Sequence, residues 1–267
     1  MNRSYLFAPG HNQKLLAKVF DAGADAVMLD LEDAVPPDAK AEARERVAVA
    51  LGEQNAWVRV NAVRTDDCAA DLDAVGGLAV GIRIPKVESA EDVAWVAQRA
   101  PRVPLICAIE SARGILAAAE IATAPGVRHL SMGGVDLRRD LSAGAGDQPL
   151  LYARSHIVAA SRAAGLAPPI DSVYAHVADD DGLRAQAEHA RALGFFGKSA
   201  IHPRQLPVLH EVFTPNEDEL AWAHEVIDAF TAAGGEALQL DSGEFVDAPV
   251  AARARRVLAL ADSASAR

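Results

Sequence analysis

Carboxylates close several short apolar runs of this chain, at spacings that suit a metal-assisted reaction. The run Ala26–Leu31 ends in Asp30-Leu31-Glu32-Asp33. The two-residue alternation of an extended chain puts Asp30 and Glu32 on one side and turns Asp33 into the following loop. Three carboxylates this close repel one another unless a cation or hydrogen-bond donors compensate. Further on, ICAIE ends at Glu110 and LSMGG leads to Asp136. Two carboxylates delivered from adjacent strand ends, with Gly133 and Gly134 permitting close backbone approach, suit an oxygen-ligated Mg²⁺ that keeps waters or substrate oxygens. Zinc suits them less, because no His-x-x-His or cysteine pair accompanies them. Each acid also has a plainer reading. Asp30 can be a structural acid, Glu32, Asp33 and Glu110 can cap helices, and Asp136 can be the N-cap of Leu137–Leu141. The joint placement of Glu110 and Asp136 at neighbouring strand ends favours the metal.

Cations recur at the same places. Arg59 stands between valines in WVRVN, where a buried guanidinium is costly unless it pairs with an acid or a ligand carboxylate; its planar fork suits bidentate binding. A salt bridge to Glu32 or Asp33 is the alternative use. Lys86 in IPKVES and Lys198 in GFFGKSAIH repeat the pattern, each suited to phosphate, substrate or an acidic neighbour. Asp171 in PPIDSVY reads as a supporting acid, and His202, followed by Pro203, as the close of the last turn.

The elements that must position these residues form a rhythm of eight apolar runs, each followed by a segment of helical spacing. They are Tyr5–Ala8, Ala26–Leu31, Trp57–Asn61, Gly81–Pro85, Val103–Ile109, His129–Met132, Pro168–Ser172 and Phe195–Ile201. Continuous apolar runs suit strands buried on both faces, and their alternation with helices implies parallel βαβ units. Eight units predict an α/β fold, a closed (β/α)8 TIM barrel whose chemistry sits at the C-terminal strand ends. At 267 residues and 51% hydrophobic content the chain can bury one large core. Thr214-Pro215-Asn216 reads as a helix stop and a new N-cap, leading into the amphipathic Glu217–Ala233; after Gly234-Gly235 comes a polar arm and a helix over Ala248–Leu260. The expected division is a barrel domain over 1–215 and a helical lid extension over 216–267.

The net charge of −11 argues against nucleic acid as a partner, since phosphate binding needs a dense cationic face. Cys68 and Cys107 make neither a disulfide framework nor a zinc site. No apolar segment approaches the roughly 18 residues of a membrane span, and MNRSYLFAPG lacks the apolar stretch of a signal peptide. A cytoplasmic protein with no membrane partner is expected.

Together these segments resemble the citrate lyase β-subunit family of the HpcH/HpaI aldolase group, which includes malyl-CoA and citramalyl-CoA lyases. The resemblance rests on Arg3–Gly10 (RSYLFAPG), Ala24–Pro36 (ADAVMLDLEDAVP), Val58–Asn61 (VRVN), Pro85–Ser89 (PKVES), Ile109–Gly114 (IESARG), Tyr152–Arg154 (YAR), Ile170-Asp171, Gly194–Pro203 (GFFGKSAIHP) and Phe213–Pro215 (FTP), in order from residue 3 to about residue 256. It implies a (β/α)8 barrel, a homotrimer or hexamer, Mg²⁺ as cofactor and a coenzyme A thioester as substrate. Glu110 and Asp136 become the metal ligands, Arg59 the holder of the substrate carboxylate, and Glu32 and Asp33 the acids around metal-bound water. Arg3, Pro9, Gly10 and Lys86 fall on the coenzyme A side. GEFVDAP (Gly243–Pro249) resembles the family's C-terminal lid, whose acid reaches a neighbouring subunit, which makes Asp247 the candidate for proton transfer. The sequence departs from the family where Gly134-Val135 replaces a usual Ala-Glu pair, and less where Ala62 replaces a frequent proline.

The implied reaction is cleavage of a 3-hydroxyacyl-CoA to acetyl-CoA and a 2-oxo acid. Three alternatives stay open: a malyl-CoA thioesterase or synthase, a CoA-independent 2-oxo acid aldolase, and a citrate lyase β subunit acting on an acyl carrier protein thioester.

Overall fold

Seven of the eight apolar runs form strands of one parallel sheet in a computed structural model describing residues 1–265. They are β1 (Ser4–Pro9), β2 (Ala26–Asp30), β3 (Trp57–Arg59), β4 (Gly81–Ile84), β5 (Leu105–Ile109), β6 (Val127–Met132) and β7 (Lys198–Ala200). The sheet order is β6-β5-β4-β3-β2-β1-β7, so consecutive strands are neighbours from β1 to β6 and β7 returns to the open side of β1. This is the sheet of an α/β fold whose helices join the C-terminal end of one strand to the start of the next.

The run Pro168–Ser172 departs from the expected strand. Its contribution to the sheet is two isolated bridges, Ile170 to Ser131 of β6 and Asp171 to Lys198 of β7. Pro168 and Pro169 have no N–H to give, so the ladder is left to the amides of Ile170 and Asp171, which donate to the carbonyls of Leu130 and Gly197. The last run shortens for a related reason. Gly197 has φ of +82°, and a Cβ there would lie 2.2 Å from the carbonyl oxygen of Asn2, so the chain extends only from Lys198.

Alternate residues of the strands face a common interior. Tyr5, Ala26, Met28, Ile106 and Ile170 form one buried cluster there, with Phe7 and Trp57 packed against it. Gly81 leaves room for the Trp57 ring, which a Cβ would meet at 2.0 Å. One step further along the strands the interior turns ionic. Helices are started by the loops that follow the strands: Asn12, Thr65, Ser89 and Ser111 each accept a backbone N–H of the first turn.

The chain divides into two compact units, Asn2–His210 and a second unit from Glu211 onward that includes Met1. In the second, Asn216 opens the helix Glu217–Ala232 with a full capping box to Glu219. A short hairpin of β8 (Leu238–Gln239) and β9 (Phe245–Val246) leads to the helix Ala248–Ser265. Ala223, Val226, Phe230, Leu240, Val246, Ala251 and Ala254 form its core. Among the described residues no helix is long and apolar enough to cross a membrane.

Candidate active site

The acidic turn after β2 is built around Asp30, which is almost fully buried. Its two carboxylate oxygens accept the backbone N–H groups of Glu32 and Ala34. Lys40 braces the same turn, donating to the carbonyls of Leu31 and Glu32 and to the side chain of Asn61. On the neighbouring strand Arg59 donates Nε and Nη2 to Asp30, both at 2.7 Å, while its Nη1 lies 2.9 Å from Glu32. Burial is the largest single influence and works against the Arg59 charge, but the Asp30 hydrogen bonds together with the charges of Asp30, Glu32 and Glu110 outweigh it and hold its pKa above the usual value. Lys86 at the end of β4, in the left-handed region with φ of 52°, reaches Glu32 at 2.7 Å and Asp33 at 3.3 Å. Burial raises the pKa of Glu32, with Arg59 and Lys86 pulling the other way.

Glu110 closes β5 and is 5% exposed, with Oε2 buried and lacking a hydrogen-bond partner. Burial pushes its pKa up to about 7; Arg83 and Arg59 oppose that rise, while Glu32 and Asp136 add to it. The strand end of β6 makes room for it: a Cβ on Gly133 would lie 2.3 Å from the Glu110 Cγ and 2.6 Å from its carboxylate. Asp136 is the third residue of the helix Gly134–Asp140, not its N-cap, which is Gly133. Its carboxylate pairs with Arg139 one turn on, at 2.8 Å. Gly134 abuts Ser172, whose Oγ would lie 2.8 Å from a Cβ there, and Val135 is exposed.

Of these, Asp30, Arg59, Glu110 and Asp136 meet in one cavity of about 190 Å³ at the C-terminal strand ends, which Glu32, Asp33 and Lys86 adjoin through their ion pairs without lining it. Phe7, Asp30, Arg59, Arg83, Glu110, Gly133, Val135, Asp136 and Ser172 line it. A larger concavity of about 640 Å³, between the helices Gln13–Val19 and Lys40–Glu53, gathers none of the expected site residues. Among the described residues no three His, Cys, Asp or Glu side chains cluster as a metal site. Glu110 and Asp136 bring two carboxylates to the cavity, one with an unpartnered buried oxygen, donors of the hard oxygen kind that Mg²⁺ takes together with water.

The other expected residues lie apart. Pro9 ends β1, and Gly10 is a packing glycine whose Cβ would crowd Val47 and the Asp30 carbonyl. Arg3 precedes β1, at the opposite end of the strand from the cavity, and its Nε and Nη2 form a fork on Asp25 at 2.9 and 2.8 Å; the fold does not bring it to the site. Lys198 is the first residue of β7 rather than a strand-end cation, wholly buried, and donates to Asp171 and Gln186 at 2.6 Å each. Asp171 also receives Arg154 at 2.6 Å. His202 caps the turn Pro203–Gln205 through the N–H of Arg204. Asp247 belongs to the second unit, where its carboxylate accepts the Val250 N–H and starts the last helix.

One cavity residue escaped the sequence reading. Arg83 stands between two isoleucines in GIRIP, the same signal that singled out Arg59, and is 4% exposed. Its guanidinium and that of Arg59 lie over the ring of Phe7, at 5.5 and 5.2 Å from the centroid. Burial pulls the Arg83 pKa down to about 10, so it stays charged at neutral pH.

A parallel α/β sheet with carboxylates and arginines converging at adjacent strand ends is the site of an enzyme that stabilises charge on small oxygen-rich substrates. The chain belongs to the HpcH/HpaI aldolase/citrate lyase family, which matches residues 3–203, and is an enzyme of the citrate lyase β type. It is 39% identical to a (3S)-malyl-CoA thioesterase of Cereibacter sphaeroides, over 99% of this chain and 96% of that protein. It is 38% identical to the citrate lyase subunit beta of Escherichia coli, over 97% and 93%. Among solved structures it resembles the protein CitE of Mycobacterium tuberculosis in complex with magnesium, acetoacetate and coenzyme A, with a TM-score of 0.84, 34% identity and 97% of each chain covered.

Proposed function

We propose that the protein is a Mg²⁺-dependent lyase that cleaves, or in reverse forms, a 3-hydroxyacyl-CoA such as malyl-CoA, citramalyl-CoA or citryl-CoA, giving acetyl-CoA and a 2-oxo acid. The observation that carries this reading is the buried, unpartnered oxygen of Glu110, in one cavity with Asp136 and Arg59. Magnesium bound by Glu110 and Asp136 supplies Lewis acidity to the substrate oxygens that gain charge. Arg59, held rigid by Asp30 and Glu32, orients the substrate carboxylate; such pre-organisation can contribute roughly 7–11 kcal/mol in ideal cases. Glu32 and Asp33, tied to Lys86, would position water beside the ion when it is bound. As the substrate hydroxyl gives its proton to water beside the acidic turn, its oxygen becomes the carbonyl of the 2-oxo acid, the bond to the thioester's α-carbon breaks, and that bond's electron pair passes to the acetyl-CoA enolate. Asp247, from a neighbouring copy, gives that carbon its proton.

In this reading Ile170-Asp171 is the remaining strand of a (β/α)8 TIM barrel over 1–215. Residues 216–267 act as its lid in a cytoplasmic homotrimer or hexamer, with no nucleic-acid or membrane partner. The likeness to CitE in its coenzyme A complex supports a CoA thioester as substrate. The likeness to a malyl-CoA thioesterase favours a second outcome, hydrolysis of the thioester after the same first steps.

The test incubates the enzyme with malyl-, citramalyl- and citryl-CoA, with Mg²⁺ or EDTA, as wild type and Asp136→Ala. Metal-dependent acetyl-CoA and 2-oxo acid that vanish in the variant are expected, and free CoA signals hydrolysis. No turnover of any thioester overturns the reading in favour of a free-acid aldolase or a carrier-protein-dependent subunit.

A further inference from the structure

The two arginines of the cavity differ in what they have left to bind. Arg59 already has its Nε and Nη2 on Asp30 and its Nη1 beside Glu32, which leaves the outer N–H groups of its two terminal nitrogens for a ligand. Arg83 is more deeply buried, yet among the described residues it forms no ion pair. Its Nη1 reaches the Ser199 hydroxyl at a long 3.3 Å, and its buried Nε has no partner. Its nearest anions by charge are Glu110, Glu32 and Asp30, which attract it without forming a pair.

A buried guanidinium with an unsatisfied donor is a standing cost to the fold, of the kind retained where a ligand completes the bonding. Ser199 and the Phe7 ring hold this one in place. Its planar donors suit a carboxylate, and it lines the cavity beside Glu110.

We propose that Arg83 binds the carboxylate of the 2-oxo acid portion and is the residue that restricts the substrate to acyl groups carrying a carboxylate head. The inference rests on the lyase reading above and deepens it. Arg59 orients that head from the side of the acidic turn, and Arg83 from β4. A neutral head leaves a buried cation without its partner, which is the most effective way for a site to reject an analogue.

The test measures binding of pyruvate and of its neutral amide to the whole enzyme with Mg²⁺, by calorimetry, for wild type, Arg83→Lys and Arg83→Met. Mg²⁺ affinity and thermal unfolding are followed in parallel. The expected result is a rise on the order of 100-fold in the pyruvate Kd for Arg83→Met. Discrimination between pyruvate and the amide should fall at least about tenfold, with Arg83→Lys between the two and Mg²⁺ affinity kept. An unchanged preference for pyruvate in a folded Arg83→Met overturns the proposal. So does lost Mg²⁺ affinity as the main effect, because Arg83 would then serve only as the counter-charge of Glu110. Wild type that binds no 2-oxo acid also overturns it. Pyruvate binding governed by Arg83, in an enzyme that turns over no thioester, sinks the lyase reading alone.

Discussion

Glu110 is the most constrained residue of the site, and its constraint is readable in solution. A carboxyl raised from the ordinary 4.5 to about 7 binds its proton more tightly folded than unfolded. The metal-free protein therefore loses stability from this group as pH rises through that interval. Denaturant unfolding between pH 5 and pH 8 in EDTA is expected to show that loss, and Glu110→Gln to flatten it. Because the ion needs the carboxylate, Mg²⁺ affinity rises with pH toward and past about 7, with uptake of the ion releasing a proton. Calorimetry in two buffers of different ionisation enthalpy checks this, and a pH-independent affinity contradicts it. Gly133 makes a sharper test. A methyl group there meets the Glu110 side chain at 2.3 Å, so Gly133→Ala must displace the carboxylate. It is expected to weaken Mg²⁺ by at least about tenfold while retaining the fold, which circular dichroism and calorimetry report together. Residue chemistry was legible where type and neighbourhood conflict, as for Arg59 between valines. The same logic reaches Arg83 between isoleucines. The alternation of strand residues, which sends Asp30, Arg59 and Arg83 to one interior, shows why both signals mean the same thing.

At the scale of elements, the apolar runs foretold six strands to within about two residues at either end. The weak places are the two where local chemistry opposes extension. Prolines 168 and 169 remove ladder donors, and the positive φ of Gly197 interrupts the last run. The fold compensates with side chains. Asp171 is wholly buried between Arg154 and Lys198, each at 2.6 Å, and ties the shortened segment to β7. Burial would raise the Asp171 pKa, but Lys198 and Arg154 prevail and lower it, while burial lowers that of Lys198. Asp171→Asn leaves two buried cations without their counter-ion and is expected to cost about 3–5 kcal/mol in urea unfolding. A loss below about 1 kcal/mol would mean that the two backbone bridges hold the segment without the ions. Lys198 read in the sequence as a strand-end cation. Only the register, which makes it the first residue of its strand opposite Ser4, turns it into a structural group.

At the scale of the whole molecule, the second unit tests the assembly. Asp247 caps its own helix, and in the proposed mechanism it also delivers a proton to a neighbouring copy's substrate. Asp247→Asn is expected to lower turnover by about 10²- to 10⁴-fold while Mg²⁺ and pyruvate affinities hold. Unchanged turnover in a folded variant would confine Asp247 to helix capping. The sequence by itself determined the class of fold, the strand-and-helix order, the capped start of the tail helix at Asn216 and the family. Those depend on patterns within one or two elements, namely apolar runs, caps and motif spacing. The tertiary structure decided which charges are paired within the protein and which keep an unpartnered donor. Arg59 and Arg83 carry the same guanidinium on adjacent strands, and their neighbours in the chain are equally apolar. Pairing of β2 with β3 brings Asp30 to Arg59, while Arg83 forms no ion pair among the described residues. That difference is a matter of distances across the sheet, which no spacing along the chain records.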